Sequence, residues 1–278
     1  MQRTEKGFKL YKEGELVYLQ ASVLAASGFV DHAFSTRRGG CSSGAFASLN
    51  TGFHVGDSRE NVRQNRRIFF EKFNYDYRFI VSSNQVHGTN LKVFDQSNCG
   101  EGALPLTARA ECDALVTAEP GLPLAAYSAD CQLIYFASWQ KKPVVALAHA
   151  GWRGTLSGIG GKVVCYLKEH FSAHPESIFV ALGPAVCRNC YKIDHQAAAQ
   201  FQSAGWDNSA YMDPAGKGEW NLDLSTINAE QLLQAGVREK NMARNYWCTS
   251  CYPELFYSYR REKGITGRMI GFISISTT

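Results

Sequence analysis

The stretch Val144-Val145-Ala146-Leu147-Ala148-His149-Ala150-Gly151-Trp152-Arg153-Gly154 constrains this chain most. Its apolar start is uninterrupted and of strand length, the pattern of a strand buried on both faces. It stops at a histidine and a Gly-Trp-Arg-Gly turn, so the strand delivers that histidine to a sheet edge, where ligands bind. The two glycines permit a backbone shape, or a close approach to a ligand, that a side chain would block. Arg153 adds a planar cation suited to phosphate or carboxylate. One strand earlier, residues 124–137 form a second apolar segment, interrupted at Asp130-Cys131. Earlier still, Asn84-Gln85-Val86-His87-Gly88 again sets a histidine beside a glycine. His87, Cys131 and His149 are the set to explain.

Around this core the pattern alternates short strands with single helices. Residues 8–24 read as a hairpin about Glu13-Gly14, and 30–35 as a strand leading into a long Ser/Gly/Asn-rich loop up to Gly56. A loop of that length is either functional or a mobile surface segment. Asp57 as cap, with Glu60 three residues on, starts a helix at 58–73 carried by Val62, Phe69 and Phe73. Strands at 79–82 and 91–94 flank the His87 turn, and residues 96–111 are a polar insertion. Strands follow at 114–117 and 143–149, then a helix at 155–170 that Gly158, Gly160 and Gly161 weaken, each by about 1 kcal/mol relative to alanine. A strand at 178–182 ends at Gly183-Pro184. Helices are expected at 195–204 and 225–235, the second closed by Gly236. Segments 244–248 and 269–276 complete the sheet. With no repeat, linker or low-complexity segment, residues 1–278 read as one mixed α/β domain.

Charge and composition remove several function classes. The net charge is only +4 with no polybasic block, so neither nucleic acid nor a membrane surface is implied. No run of 18 apolar residues appears, and residues 1–20 lack the apolar stretch of a signal peptide. Nine cysteines, an odd number without a secretory signal, fit a reducing, cytoplasmic setting better than a disulfide framework.

Two histidines and a cysteine at three strand ends match an open, three-ligand zinc site, whose bound water would be nucleophilic near pH 7. Their long spacing is no compact metal motif, and the bland alternative is a buried thiol beside satisfied structural histidines. A metal-free alternative makes Cys131 a thiolate nucleophile with His149 as its base; the sequence identifies neither an orienting group nor an oxyanion hole for it. Cys187-Arg188-Asn189-Cys190 and Cys248-Thr249-Ser250-Cys251 are paired Cys-x-x-Cys units, but the gap between them is much longer than the usual 15–20 residues of a four-sulfur zinc site. Arg260-Arg261, with Arg268 beyond, offers either an anion site or a solvated turn.

These pieces, with Phe34-Ser35-Thr36-Arg37, Ser48-Leu49-Asn50, His54-Val55-Gly56-Asp57, Cys190-Tyr191, Asn221-Leu222-Asp223-Leu224 and Ser258-Tyr259-Arg260-Arg261, carry a resemblance. The chain resembles the YfiH-type laccase-domain family, whose bacterial members are described as polyphenol oxidases or as purine nucleoside phosphorylases. The resemblance implies an α+β, CNF/YfiH-like α/β/β/α sandwich with mixed sheets inside and helices outside. It implies zinc on His87, Cys131 and His149, and phosphorolysis of adenosine, inosine and S-methyl-5'-thioadenosine with adenosine deamination besides. The expected partners are a purine nucleoside and phosphate, and the expected assembly is a monomer or homodimer. The family pattern has an arginine where Arg37 stands and does not require Cys187 or Cys251. Phosphate is then expected on Arg37, Arg153, Arg260 or Arg261. Asp130 is expected either as a proton shuttle, as the residue that orients His87 or His149, or as a turn cap.

The copper expectation is weaker on the residues themselves. Blue and trinuclear copper sites together use about ten histidines, commonly as His-x-His. This chain has seven histidines and no His-x-His. A non-enzymatic protein stapled by zinc is the remaining reading, and three ligands would leave its metal unclosed.

Overall fold

Apolar runs and alternations sort the strands into two stacked six-stranded sheets in the computed structural model, which describes residues 7–107 and 109–277. In chain order the strands are β1 (Phe8–Glu13), β2 (Leu16–Ala21), β3 (Val30–Ser35), β4 (Val81–Ser82), β5 (Leu91–Val93) and β6 (Ala114–Thr117). There follow β7 (Leu124–Ser128), β8 (Gln132–Trp139), β9 (Pro143–Ala150), β10 (Phe179–Leu182) and β11 (Lys192–Ile193). The last are β12 (Met212–Gly216), β13 (Glu219–Leu222), β14 (Met242–Arg244) and β15 (Met269–Ile275). The helices are α1 (Ser22–Ala25), α2 (Arg59–Glu71), α3 (Trp152–Leu156), α4 (Ile159–Phe171), α5 (His195–Ser203) and α6 (Leu224–Gln234). One sheet runs β1-β2-β3-β15-β7-β4 and the other β14-β10-β8-β9-β6-β5.

Leu19, Phe34, Leu124 and Ile273 from the first sheet bury against Leu133, Tyr135, Leu147 and Ala181 from the second. The outer face of the first sheet is covered by α2, whose Phe69 and Phe70 pack with Phe272, Tyr18 and Tyr127. Each such phenylalanine contributes about 2 kcal/mol by leaving water. The outer face of the second sheet is covered by α4 and α6 through Val163, Leu167, Ala229 and Leu232. This is the α/β/β/α layering that the family resemblance implies. Tyr135 locks the two sheets together. Its hydroxyl donates to the Ala33 carbonyl at 3.2 Å, and a Cβ on Gly271 would lie 2.1 Å from that hydroxyl oxygen. Among the described residues no helix is long and apolar enough to cross a membrane.

Several boundaries differ from the sequence reading. The expected helix at 155–170 is two helices, broken at Gly158, which takes φ +73. The cap of α2 is Ser58, without a side-chain bond, because the Asp57 carboxylate accepts instead from Ser42 Oγ at 2.6 Å and Asn50 Nδ2 at 2.9 Å. Phe79 ends a 3-10 turn, leaving only Val81–Ser82 as strand. The expected strand at 244–248 stops at Arg244, where the Asn245 side chain accepts from the Trp247 N–H at 2.7 Å and bends the chain. The three-stranded sheet β11-β13-β12 was not expected. The reading of residues 1–6 as polar leader-free sequence lies outside the described residues.

Candidate active site

Strand register brings the three distant residues together. In the β8–β9 pair, Leu133 faces His149 and Gln132 faces Ala150, so Cys131 lies beside His149. On the other edge of β9, Ala114 faces Ala148, and the His149 N–H donates to the Asp113 carbonyl at 2.7 Å. The turn holding His87 leads into β5, which runs parallel to β6. Cys131 Sγ and one ring nitrogen of each histidine all lie within 4.8 Å of one another.

Asp113 organises the set, and the sequence reading missed it. Fully buried, its carboxylate accepts from the N–H groups of Val86, His87 and Gly88 at 3.2, 3.1 and 2.7 Å. These bonds hold His87 at φ +59, a left-handed conformation that few side chains adopt. The same carboxylate accepts from His149 Nδ1 at 2.9 Å, which leaves Nε2 for Cys131 or a metal. Burial would raise the Asp113 carboxyl, but these donors hold it below its ordinary value. Burial likewise pushes the Cys131 thiol up, yet His149 and His87 outweigh it and bring it down to about 6. Burial lowers His149, while the Cys131 thiolate and Asp113 raise it to about 9. His149 thus favours the thiolate of Cys131, and that thiolate together with Asp113 favours the imidazolium of His149.

Both glycines of the Gly-Trp-Arg-Gly turn sit where a side chain would be crowded. A Cβ on Gly151 would sit 3.0 Å from His87 Cδ2 and 3.1 Å from Cys131 Sγ, and one on Gly154 would sit 3.1 Å from the Gly88 carbonyl. Gln85 braces the opposite wall, its side chain bonding both the N–H and the carbonyl of Tyr127 at 2.8 Å.

The set opens into a cavity of about 530 Å³ lined by His54, Gln85, Arg109, Tyr127, Asp130, Trp152, Arg153, Tyr191, Tyr259, Arg260 and Arg268. Three of its guanidiniums stack on aromatic rings: Arg153 on Trp152 at 4.4 Å, Arg260 on Tyr191 at 4.5 Å and Arg268 on Tyr259 at 5.7 Å. Stacking leaves the guanidinium edge available to an anion. The long loop before α2 is held by hydrogen bonds and holds this wall in turn. The Asn50 side chain accepts from the Arg268 N–H at 2.9 Å, and buried Arg66 donates to the Thr51 carbonyl at 2.9 Å.

Arg37 and Arg261 lie apart from this arrangement. Arg37 donates to the carbonyls of Ala47 and Pro253 and to Glu262, and lines a separate depression with Arg38 and Glu254. Arg261 is spent on the carbonyls of Thr249, Ser250 and Phe256 and on Glu262. Their hydrogen bonds are those of loop anchors, and neither lines the cavity. Asp130, at φ +93, accepts from Thr249 Oγ1 at 2.6 Å and from the Arg260 N–H at 2.7 Å. It fixes the Arg260 loop, while the orienting of His149 belongs to Asp113. Arg109 and the three cavity tyrosines also escaped the sequence reading.

Residues 31–276 match the family described as multi-copper polyphenol oxidoreductase laccase. The chain belongs to that family. Among similar family members, the purine nucleoside phosphorylase YlmD of Geobacillus stearothermophilus is 40% identical over 241 residues, 86% of this chain and 88% of the relative. A purine nucleoside phosphorylase of Deinococcus radiodurans is 36% identical over 248 residues, 88% of this chain and 89% of the relative. The crystal structure of the Geobacillus YlmD superposes with a TM-score of 0.88 at 37% identity, covering 96% of this chain and 98% of that one. That of the Bacillus licheniformis hypothetical protein YfiH gives 0.88 at 30% identity, covering 96% and 99%. The fold of this laccase-family chain is thus the one already seen in those two proteins.

Proposed function

We propose that this chain is a metal-dependent purine nucleoside phosphorylase, with zinc held by His87, Cys131 and His149. One observation carries the reading: that donor set opens into the same cavity as Arg109, Arg153, Arg260 and Arg268. The names of the relatives, purine nucleoside phosphorylases, support it. The donors suit zinc, since His149 and His87 favour the thiolate form of Cys131 and Asp113 presets the His149 tautomer. Copper oxidation is ranked below, because among the described residues the one candidate metal group that contains histidine contains only two.

In phosphorolysis a phosphate oxygen bonds to C1′ as the C1′–N9 bond breaks, and the electron pair leaves with the base, which takes up a proton. Arg153 and Arg260 grip the phosphate through paired N–H donors, with Arg109 and Arg268 balancing its remaining charge. Tyr127, Tyr191 and Tyr259 offer apolar faces to the purine and keep water from the sugar. When bound, zinc supplies Lewis acidity at the cavity floor. The proposed substrates are adenosine, inosine and S-methyl-5'-thioadenosine, giving the free base and (methylthio)ribose 1-phosphate. Deamination of adenosine is the proposed second activity: a water oxygen bonds to C6 as the C6–N6 bond breaks, ammonia leaves, and Asp130 carries the proton from the water to the leaving nitrogen.

A second reading is favoured by one contact. The hydrogen bond from His149 to Asp113 supplies the orienting third group of a metal-free cysteine hydrolase, with Cys131 as nucleophile. Incubation with adenosine, with and without phosphate, before and after chelation, tests both. Adenine and ribose 1-phosphate formed only with phosphate and lost on chelation are expected. Inosine formed without phosphate would make deamination the main activity. Activity that resists chelation would promote the hydrolase, and oxidation of a phenol on adding copper, with no nucleoside product, would overturn the proposal.

A further inference from the structure

The two Cys-x-x-Cys units, too far apart in sequence for a usual zinc ribbon, meet in space. The four sulfurs of Cys187, Cys190, Cys248 and Cys251 all lie within 4.8 Å of one another. Cys251 Sγ is 3.4 Å from Cys190 Sγ and 4.0 Å from Cys187 Sγ. We infer that these four cysteines form a second, closed zinc site that staples the loop before Tyr191 to the loop carrying Thr249.

The spacing fits a single tetrahedral ion. A tetrahedral zinc with Zn–S bonds near 2.3 Å sets its sulfurs about 3.8 Å apart, within the range found here. A cluster of several irons holds its cysteine sulfurs further apart, because sulfide bridges lie between the metals. The backbone presets the four donors. The Cys190 N–H donates to the Cys187 carbonyl at 3.0 Å, closing the first unit into a tight 3-10 turn. The Cys187 N–H donates to Cys248 Sγ at 3.2 Å, a bond that stabilises a thiolate. The Thr249 N–H donates to the Ala185 carbonyl at 3.1 Å, clamping the two loops together beside the sulfurs. Cys248 is buried and Cys251 exposed, so an ion has an entry path and then meets a closed shell.

The site sits behind two walls of the cavity. Tyr191, next after Cys190, carries the Arg260 guanidinium, and Thr249, next after Cys248, donates to Asp130. The four-sulfur site stands whatever the cavity binds.

Metal analysis and native mass spectrometry of the full chain, purified under reducing conditions from zinc-supplemented cells, test it. Two zinc ions per chain are expected, falling to one in Cys251→Ser and to one in Cys131→Ala. A single zinc lost in Cys251→Ser but kept in Cys131→Ala would still support this site while removing the one proposed in the cavity. Zinc content unchanged in a folded Cys251→Ser would overturn it. So would iron in place of zinc, or a native mass showing Cys190 and Cys251 joined as a disulfide. Should the variant fail to fold, cobalt replaces it as the probe. Wild-type protein loaded with cobalt is expected to show the sulfur-to-metal charge transfer and strong visible bands of a four-thiolate tetrahedral ion, and their absence at two equivalents would overturn the assignment.

Discussion

Among the described residues the chain holds two groups of side chains that could ligate a metal, and they are built in opposite ways. His87, Cys131 and His149 stand at the ends of paired strands, and register places them. Cys187, Cys190, Cys248 and Cys251 stand on turns, clamped by backbone hydrogen bonds. The first group has three donors, a buried carboxylate behind it and a cation-rich cavity before it. The second has four donors of one kind, two of which, Cys187 and Cys248, border a smaller cavity of about 160 Å³. Three donors leave a coordination position for chemistry, whereas four close the shell and leave only mechanical support. The number of ligands therefore separates the two roles more sharply than ligand identity does.

The sharpest way to break this contrast is to remove one sulfur from each group. Cys131→Ala is expected to cut phosphorolysis by roughly 10³-fold, the scale on which single catalytic groups act, with a small change in Tm. Cys251→Ser is expected to lower Tm by more and turnover by less. Equal losses of turnover would erase the distinction between an open and a closed site. Asp113→Asn comes next. Removing the charge behind His149 is expected to weaken zinc binding at the cavity by about 10–100-fold in a competition assay with a chelator. Unchanged affinity would reduce Asp113 to a cap for the 86–88 turn.

Gly151→Ala tests how tightly the open site is drawn. With a Cβ 3.0 Å from His87 and 3.1 Å from Cys131, zinc affinity is expected to fall about tenfold, or ~1.4 kcal/mol, while Tm stays close to wild type. An unaltered affinity would show that the two side chains move aside freely. The smallest effects on turnover and binding are expected from the arginines. Arg153→Ala should raise the phosphate KM several-fold without loss of stability. Arg37→Ala should leave KM near wild type but cost about 2 kcal/mol, since it removes bonds to two carbonyls and to Glu262. A phosphate KM that rises as much in Arg37→Ala as in Arg153→Ala would restore Arg37 to the phosphate.

The His–Cys–His set was legible in the sequence because strand-length apolar runs end at these residues, whereas the layering of the fold followed from the family resemblance. A buried strand stopping at a polar side chain is a local signal. Asp113 left no such signal. It lies in Glu111-Cys112-Asp113, and only the β6–β9 register decides which of the two carboxylates faces His149. Asp130 looked the better candidate because it adjoins a ligand in sequence, but its positive φ aims its carboxylate at Thr249 and the Arg260 N–H. Arg37 and Arg261 could not be told from the cavity arginines by type alone. What separates them is Glu262, more than 200 residues from Arg37, which accepts from both. The small sheet β11-β13-β12 was hidden because its short strands carry charged and turn-forming residues without an apolar alternation.

β7 and β8 are consecutive in sequence yet belong to different sheets, so Ala129–Cys131 passes from one layer to the other. The cavity inherits this division. Tyr127 and Arg268 ride on the first sheet, at β7 and just before β15, while Cys131, His149 and Arg153 ride on the second, at the ends of β8 and β9. The offset between the sheets is thus also the span between the two halves of the site, and the plug of Tyr135 against Gly271 sets that offset from inside the core. A change of volume there would act as a caliper screw, resetting the gap that a substrate must bridge without altering a residue that touches it.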